Sequence, residues 1–251
     1  MDDFRSAWFQ DVPALLAKTD EVYAKLAGLG KPSKLAATKA KIYASRRWKP
    51  ASAYIEANFD AVLRATGMFY LPKALPPGPA FVFPLRDLDG RWGQAQVRPF
   101  EGSCLFLPDH KYRRLGTPYA FKGPVWCGND DETLRQIIAR GAVTLVEGPF
   151  DALACKLLAP GCPVLSSLTK GVTEDHMDFL RILGVTRLSL MFDNERSGQG
   201  AKGEALTKWR IENKLGGGMR VEHADCPASD PGEALQSDRN AVALLEILEG
   251  L

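Results

Sequence analysis

The chain is poor in the residues that build metal-stapled or disulfide-stapled folds, with three histidines and five cysteines in 251 residues. The cysteines, Cys104, Cys127, Cys155, Cys162 and Cys226, form no CxxC pair, which excludes a zinc ribbon. His223 lies near Cys226, but no second ligand pair completes a metal site, so ordinary partly buried cysteines are expected. An odd cysteine count without a signal-peptide pattern leads to the expectation of a reducing cytoplasm. No run of about 18 apolar residues exists, so no membrane anchor is expected. Charge excess is missing too: 32 Lys+Arg against 30 Asp+Glu leave +2, and bulk charge alone does not announce a nucleic-acid partner. There is no internal repeat and no low-complexity segment. What is present, at 45% hydrophobic residues, is a folded chain long enough for one large domain or two modest ones.

The charge that does exist is unevenly placed. Lys31, Lys34, Lys39, Lys41, Arg46, Arg47 and Lys49 follow one another without an intervening acid, whereas acids accumulate later. Apolar spacing predicts helices over 12–29, 35–47 and 51–66, interrupted by Gly30-Lys31-Pro32 and Pro50. Residues 72–79 contain four prolines and one glycine, too poor in backbone donors to continue a helix, and read as a linker. Beyond it, 80–85 and 92–100 flank Asp89-Gly90, a strong hairpin signal, and 112–115 and 124–127 are further strand candidates. From residue 130 the pattern alternates: helices at 132–140, 150–158, 173–183, 199–215 and 240–248, strands at 143–146, 163–166, 188–192 and 219–223. Such alternation predicts an α/β fold with a parallel sheet flanked by helices. The expected organisation is a helical region at 1–71, a small basic α+β subdomain at 78–128, and an α/β domain at 129–251 ending in a helix.

Acids stand directly after the apolar runs. Glu147-Gly148 follows the first predicted parallel strand, Asp151 sits on the next helix, Asp193-Asn194-Glu195 follows the third strand, and Asp230-Pro231 follows the fourth. Ligands collect beyond the carboxyl ends of strands in open α/β sheets. Gly148 suits a tight turn at the strand end, and the i, i+2 spacing of Asp193 and Glu195 points both side chains one way in extended backbone. Any one of these acids could be a helix cap or a solvated loop charge. Carboxylates gathered from three strand ends repel, which suggests an offsetting divalent cation such as Mg2+.

Gly198-Gln199-Gly200-Ala201-Lys202-Gly203 spells a GxGxxG string, with Glu222 about twenty residues on. Intervening acids and Arg196 separate it from the preceding strand, whereas a dinucleotide fingerprint needs the strand to run into the glycine turn. The glycines are better read as a helix start that could attract a phosphate. Arg98, Lys111, Arg113, Arg114 and Lys122 interleave with Tyr112, Tyr119 and Phe121, a mixture that suits nucleic acid or nucleoside triphosphates, or else a solvated sheet face.

These motifs together resemble the catalytic core of bacterial and phage DNA primases, which carries a TOPRIM domain. Glu147, Gly148 and Asp151 match the family's first-strand motif, and Asp193-Asn194-Glu195 matches its D-x-D motif, with Gly198 and Ala201 in the following A-G-x-x-A. Asp230-Pro231 matches the acid-proline pair, and Phe83-Pro84-Leu85-Arg86-Asp87 then Gly90 is similar to the family's F-P-I-R-D-x-x-G. Arg98 and Lys111-Tyr112 come in the order of the basic subdomain. The likeness covers 78–236 well and the first third weakly. It implies synthesis of short RNA primers on single-stranded DNA from ribonucleoside triphosphates with Mg2+ or Mn2+, in a phage, plasmid or similar element. A replicative helicase is implied as a further partner. Glu147, Asp193 and Glu195 would be catalytic, and Glu147, Asp151, Asp193, Glu195 and Asp230 would serve the metal. Arg86, Arg98, Lys111, Tyr112, Arg113, Arg114, Lys122 and Lys170 would hold template or nucleotide. A TOPRIM nuclease or topoisomerase, or a weakened TOPRIM protein that only binds nucleic acid, are the alternatives. Three positions depart from the pattern: Glu195 replaces an aspartate, Lys170 lies in the turn after the second strand, and Gly232 stands where an acid is frequent. Neither the amino-terminal zinc module nor a carboxyl-terminal helicase-related domain is recognisable, so start-site selection is expected to fall to the helical first third or a partner.

Overall fold

The computed structural model describes residues 32–46, 48, 53–72, 78–86, 92–103, 106, 108, 112–116, 131–168, 171–193, 211 and 218–250. The predicted helix at 12–29 and strand at 124–127 lie outside them. The first described elements are helices α1 (Pro32–Arg46) and α2 (Ala53–Thr66). Proline opens α1, where its fixed φ is pre-organised and its missing N–H costs nothing. In α2, Ile55, Phe59, Val62 and Leu63 recur at helical spacing and are all buried. That stripe docks the helix on the parallel domain, where Asn58 Nδ2 also donates to Leu157 O at 3.0 Å. On the outer side, Lys39 pairs with Glu56, and Tyr43 OH donates to Glu56 Oε2 at 2.9 Å, tying α1 to α2.

An antiparallel sheet follows, in the order β1 (Phe69–Leu71), β2 (Ala80–Arg86), β3 (Trp92–Pro99), β4 (Arg113–Gly116). The β2–β3 pairing is the hairpin foreseen from Asp89-Gly90. Strand β1 was not foreseen, because three residues between a helix end and Pro72 are too few to show alternation. Alternation along β2 sends Phe81, Phe83 and Leu85 into the main core, and Ala80 and Val82 into a small cluster with Phe69 and Val97.

The remainder alternates: α3 (Asp131–Arg140), β5 (Ala142–Val146), α4 (Pro149–Leu158), β6 (Val164–Ser166), α5 (Glu174–Ile182), β7 (Arg187–Leu190), β8 (Arg220–His223), α6 (Pro231–Ala234) and α7 (Asp238–Gly250). Its strands are parallel in the order β6-β5-β7-β8. Two clusters cover the two faces. Val143, Leu145, Leu188 and Leu190 pack with Ile137 of α3 and Leu180 of α5, while Val146 and Val164 pack with Leu153 and Leu157 of α4 and Leu244 of α7. Burial on both faces is why β5 is apolar without alternation. Helix α5 begins with a reciprocal cap in which His176 takes the usual Glu place: His176 N donates to Thr173 Oγ1, and Thr173 N donates to His176 Nδ1. It ends in a Schellman turn at Gly184, φ 71°, with Gly184 N bonded to Arg181 O and Val185 N to Leu180 O. That turn delivers the chain into β7. The four-residue α6 was not foreseen, being too short for periodicity, and of the predicted 199–215 helix only Ile211, helical and buried, is described. Among the described residues no helix is long and apolar enough to cross a membrane.

Candidate active site

The sheet order creates the crevice. From β5 the chain moves to β6 on one side, then crosses back over β5 to β7 on the other, so the carboxyl ends of β5 and β7 face a topological switch point. Leu145 pairs with Leu190, and Met191 N still donates to Leu145 O at 2.9 Å beyond the regular strand. This register brings the segments carrying Glu147 and Asp193 out of the sheet side by side. On the other flank, Ser166 Oγ donates to Glu147 O at 2.9 Å and accepts from Leu168 N at 3.1 Å, and Ser167 N donates to Val146 O at 2.9 Å. Leu168 takes φ 61°, a left-handed conformation uncommon outside glycine, directly beside this edge.

Gly148 corrects the sequence expectation. Its φ of −104° and ψ of 152° are open to any residue, so the glycine is not there for a tight turn. A Cβ would instead stand 2.5 Å from Asp151 Oδ2, which accepts the Gly148 N–H at 2.9 Å. Glycine thus lets the Asp151 carboxylate fold back over the start of α4 and close half of a capping box. Asp151 is 7% exposed. Burial, and after it the charges of Asp230 and Asp193, push its carboxyl up to about 8, against the pull of Arg46 and the Gly148 N–H.

Asp230 is the N-cap of α6, its Oδ1 accepting from Glu233 N at 2.6 Å. Capping and convergence are therefore not alternatives here: Asp151 and Asp230 each close a helix start and face the same crevice. Around Gly232 the approach is closest. The point where its Cβ would stand lies 2.6 Å from Arg46 Nη2, 3.0 Å from Asp230 Oδ1 and 3.4 Å from Asp151 Oδ1. A polar cleft of about 400 Å³, lined by Ser45, Arg46, Ser229, Asp230, Glu233 and Gln236, opens beside them.

Two residues at this centre were not singled out from sequence. Arg46 was one member of a basic run, and Phe150 looked like an ordinary helix residue. Phe150 is 1% exposed, edge-on to Phe81, Phe83 and Trp48, with the Arg46 guanidinium 4.6 Å and the Arg98 guanidinium 5.5 Å from its ring centre. The only sequence signal for it was its place between Gly148 and Asp151. The Arg98 guanidinium is also 5.6 Å from the ring centre of Tyr112. Desolvation raises the Tyr112 pKa, Arg98 opposes it and Asp151 adds to it. The Tyr112 hydroxyl lies 4.0 Å from the Cβ point of Gly148. The basic sheet and the acidic edge therefore meet through Arg98 and Tyr112.

Other expected residues are placed only in part. Arg113 and Arg114 occupy β4 positions opposite Val97 and Gln96, and Arg86 ends β2 opposite Trp92 at a register shift. Glu195, Lys111, Lys122, Lys170 and the glycine string at 198–203 lie outside the described residues. Cys155, Cys162 and Cys226 are buried thiols, as ordinary core cysteines would be, and burial pushes the Cys226 thiol up to about 12.

The donor chemistry suits a hard divalent cation, since oxygen ligands crowd together and one of them, Asp151, is held against ionisation by burial and then by the charges of the others. Among the described residues no three such groups already stand where they could enclose an ion. Asp151, Asp193 and Asp230 therefore fit as part of a donor set, with Glu147 and Glu195 the remaining expected acids.

No family model matches the chain, and no curated protein matches it. Solved structures do. The RNA polymerase domain of Mycobacterium tuberculosis primase DnaG superposes with a TM-score of 0.64 at 19% identity, covering 94% of this chain and 83% of that one. The E. coli primase catalytic core gives 0.60 at 18% identity, covering 92% and 79%. A DnaG catalytic domain bound to single-stranded DNA gives 0.60 at 16%, covering 97% and 80%. The chain thus has the fold of the DnaG primase RNA polymerase domain: a helix-flanked parallel sheet preceded by a small antiparallel sheet and amino-terminal helices.

Proposed function

We propose that this chain is a primase-type nucleotidyltransferase that makes short RNA primers on a single-stranded DNA template. The observation that carries the reading is convergence at the sheet edge: Asp230 Oδ1 and Asp151 Oδ1 lie 3.0 and 3.4 Å from the Gly232 Cβ point, and the pairing of β5 with β7 brings the segment of Asp193 beside them, in a DnaG-like fold. A bound Mg2+ or Mn2+ would stabilise the attacking 3′-hydroxyl oxygen and the departing pyrophosphate in an in-line displacement. Asp193, Glu195 and Asp230 would hold it, with Glu147 and Asp151 completing its surroundings. Glu147, at the mouth of the crevice, is the base assigned to the hydroxyl proton. Arg98, fixed against Phe150 and Tyr112, holds a template or triphosphate phosphate at the join of the two sheets. Arg86, Lys111, Arg113, Arg114, Lys122 and Lys170 extend that positive track, and Tyr112 anchors it. The expected setting is the cytoplasm, beside a replicative helicase.

Purified protein incubated with single-stranded DNA, labelled ribonucleoside triphosphates and Mg2+ or Mn2+ should yield short template-dependent oligonucleotides, lost in Glu147→Gln and Asp193→Asn. Shortening of the input strand would favour the nuclease. Intact DNA binding without synthesis would replace the polymerase with a binding factor.

A further inference from the structure

Arg46 is held more firmly than a surface helix end requires. Its own carbonyl accepts from Gln236 Nε2 at 3.3 Å, and two residues on, Trp48 Nε1 donates to Gly232 O at 2.6 Å. The exit of α1 is therefore fixed to Gly232 in α6 and to Gln236 just past its end. The guanidinium lies over Phe150, and its Nη2 reaches the niche that the absent Gly232 side chain leaves, onto which carboxylate oxygens of Asp230 and Asp151, from two different elements, also border. Any side chain at 232 would collide with it. A cation over an aromatic ring is held by the ring quadrupole.

We propose that Arg46 is a resident counter-cation of the carboxylate site, a positioning residue that occupies the Asp151–Asp230 side and restrains divalent-metal uptake there. The proposal rests on reading these carboxylates as a cation site and does not depend on primer synthesis. In the metal-free protein Arg46 offsets part of the repulsion that burial makes severe. When a metal arrives, the same fixed charge stands close by and weakens its binding, since unit charges a few ångströms apart interact strongly where water is scarce. Arg46 is absent from the acidic motifs and comes from a helix more than a hundred residues upstream.

Two measurements test this. The first is Mn2+ binding, followed by the loss of free-ion paramagnetic resonance, for the full chain and for Arg46→Met and Gly232→Ala, the latter evicting the guanidinium while leaving arginine in place. Both variants should bind Mn2+ on the order of ten-fold more tightly or take up an additional ion, and Asp193→Asn should abolish binding in each. Unchanged or weaker binding in both overturns the proposal. The second is thermal stability in chelator, which involves no metal. Arg46→Met should lower the melting temperature of the parent but much less in an Asp230→Asn background, because the charge it serves has gone. An equal loss in both backgrounds would make Arg46 a packing residue on Phe150 and overturn the proposal. Absence of Mn2+ binding in every version would overturn the cation-site reading and this proposal together. Absence of primers with Mn2+ binding intact would bear on the polymerase reading alone.

Discussion

The two sheets carry their charged residues in different ways. The parallel sheet is covered on both faces, so its strands read as apolar and its acids appear only past the strand ends. The antiparallel sheet carries Arg98 on a strand face, next to last in β3 and paired opposite Phe81, so on the side that faces α4. Strand ends gather like charges from distant parts of the chain into one place. A strand face spaces its charges and gives each a neighbour to rest on. The consequence is visible in Asp151, which burial and then its fellow acids drive up to about 8, whereas Arg98 lies between aromatic rings. Phe150 belongs to both regimes, one residue from the acid and against both arginines.

The largest expected effect breaks the comparison at its acidic end. Asp193→Asn should lower primer synthesis by on the order of 10³-fold, the scale of losing a charge-stabilising group at a reacting centre, with the melting temperature nearly unchanged. Arg98→Gln should instead raise the apparent KM for template or triphosphate and reduce the salt dependence of DNA binding, with a smaller loss of turnover. Equal losses of turnover in both variants would show that the two sheets do not divide the work in this way. Gly148→Ala comes next, at about 10²-fold in synthesis, since a Cβ would push the Asp151 carboxylate from its cap and misplace it by about an ångström. Circular dichroism should show the fold retained.

Much of this arrangement was legible in the sequence, and the parts that were not share a cause. Alternation of apolar runs located β5 to β8 and their helices, and acids placed after those runs marked the edge, because strand-end position is a local property of sequence. The hairpin was legible from one dipeptide. Strand β1 and helix α6 were too short to show a period, and each exists through its partners: β1 through pairing with β2, α6 through its Asp230 cap and Trp48. Arg46 was invisible as a site residue because its role is set by a docking 186 residues away in the chain, at Gly232. Gly148 was singled out correctly but for the wrong reason, since only coordinates distinguish a glycine needed for φ from one needed for room.

A pH series sharpens the electrostatic half of the comparison. The Asp151 pKa rises from 3.8 to about 8 on folding, so between those values the folded protein keeps a proton that the unfolded chain has released. Stability from this group is full below about pH 4 and is lost as pH rises through the folded value. Metal-free protein should therefore melt at progressively lower temperature from pH 4 to 8, relative to Asp151→Asn measured alongside. Mg2+ should restore the difference most at the upper end, where the carboxylate is ionised. A parallel course for the two proteins would mean that Asp151 is not buried among charges.

The smallest effects separate buried contacts from exposed ones where α1 meets its surroundings. Trp48→Phe keeps an aromatic ring near Phe150 but removes the donor to Gly232 O, leaving a buried carbonyl without that partner, at a cost of about 2 kcal/mol. For a chain of this size that corresponds to a melting-temperature drop of roughly 4–8 °C. Lys39→Met breaks the ion pair with Glu56 on the outer surface of the same helix, where both groups reach water, and should cost less than about 1 kcal/mol. High salt should shrink the Lys39 effect and leave the Trp48 effect in place, because screening weakens an exposed charge pair and does not reach a neutral hydrogen bond in the core. If the two losses proved equal, α1 would be attached by its outer charges, and the fixed placement of Arg46 at the carboxylates would lose its mechanical basis.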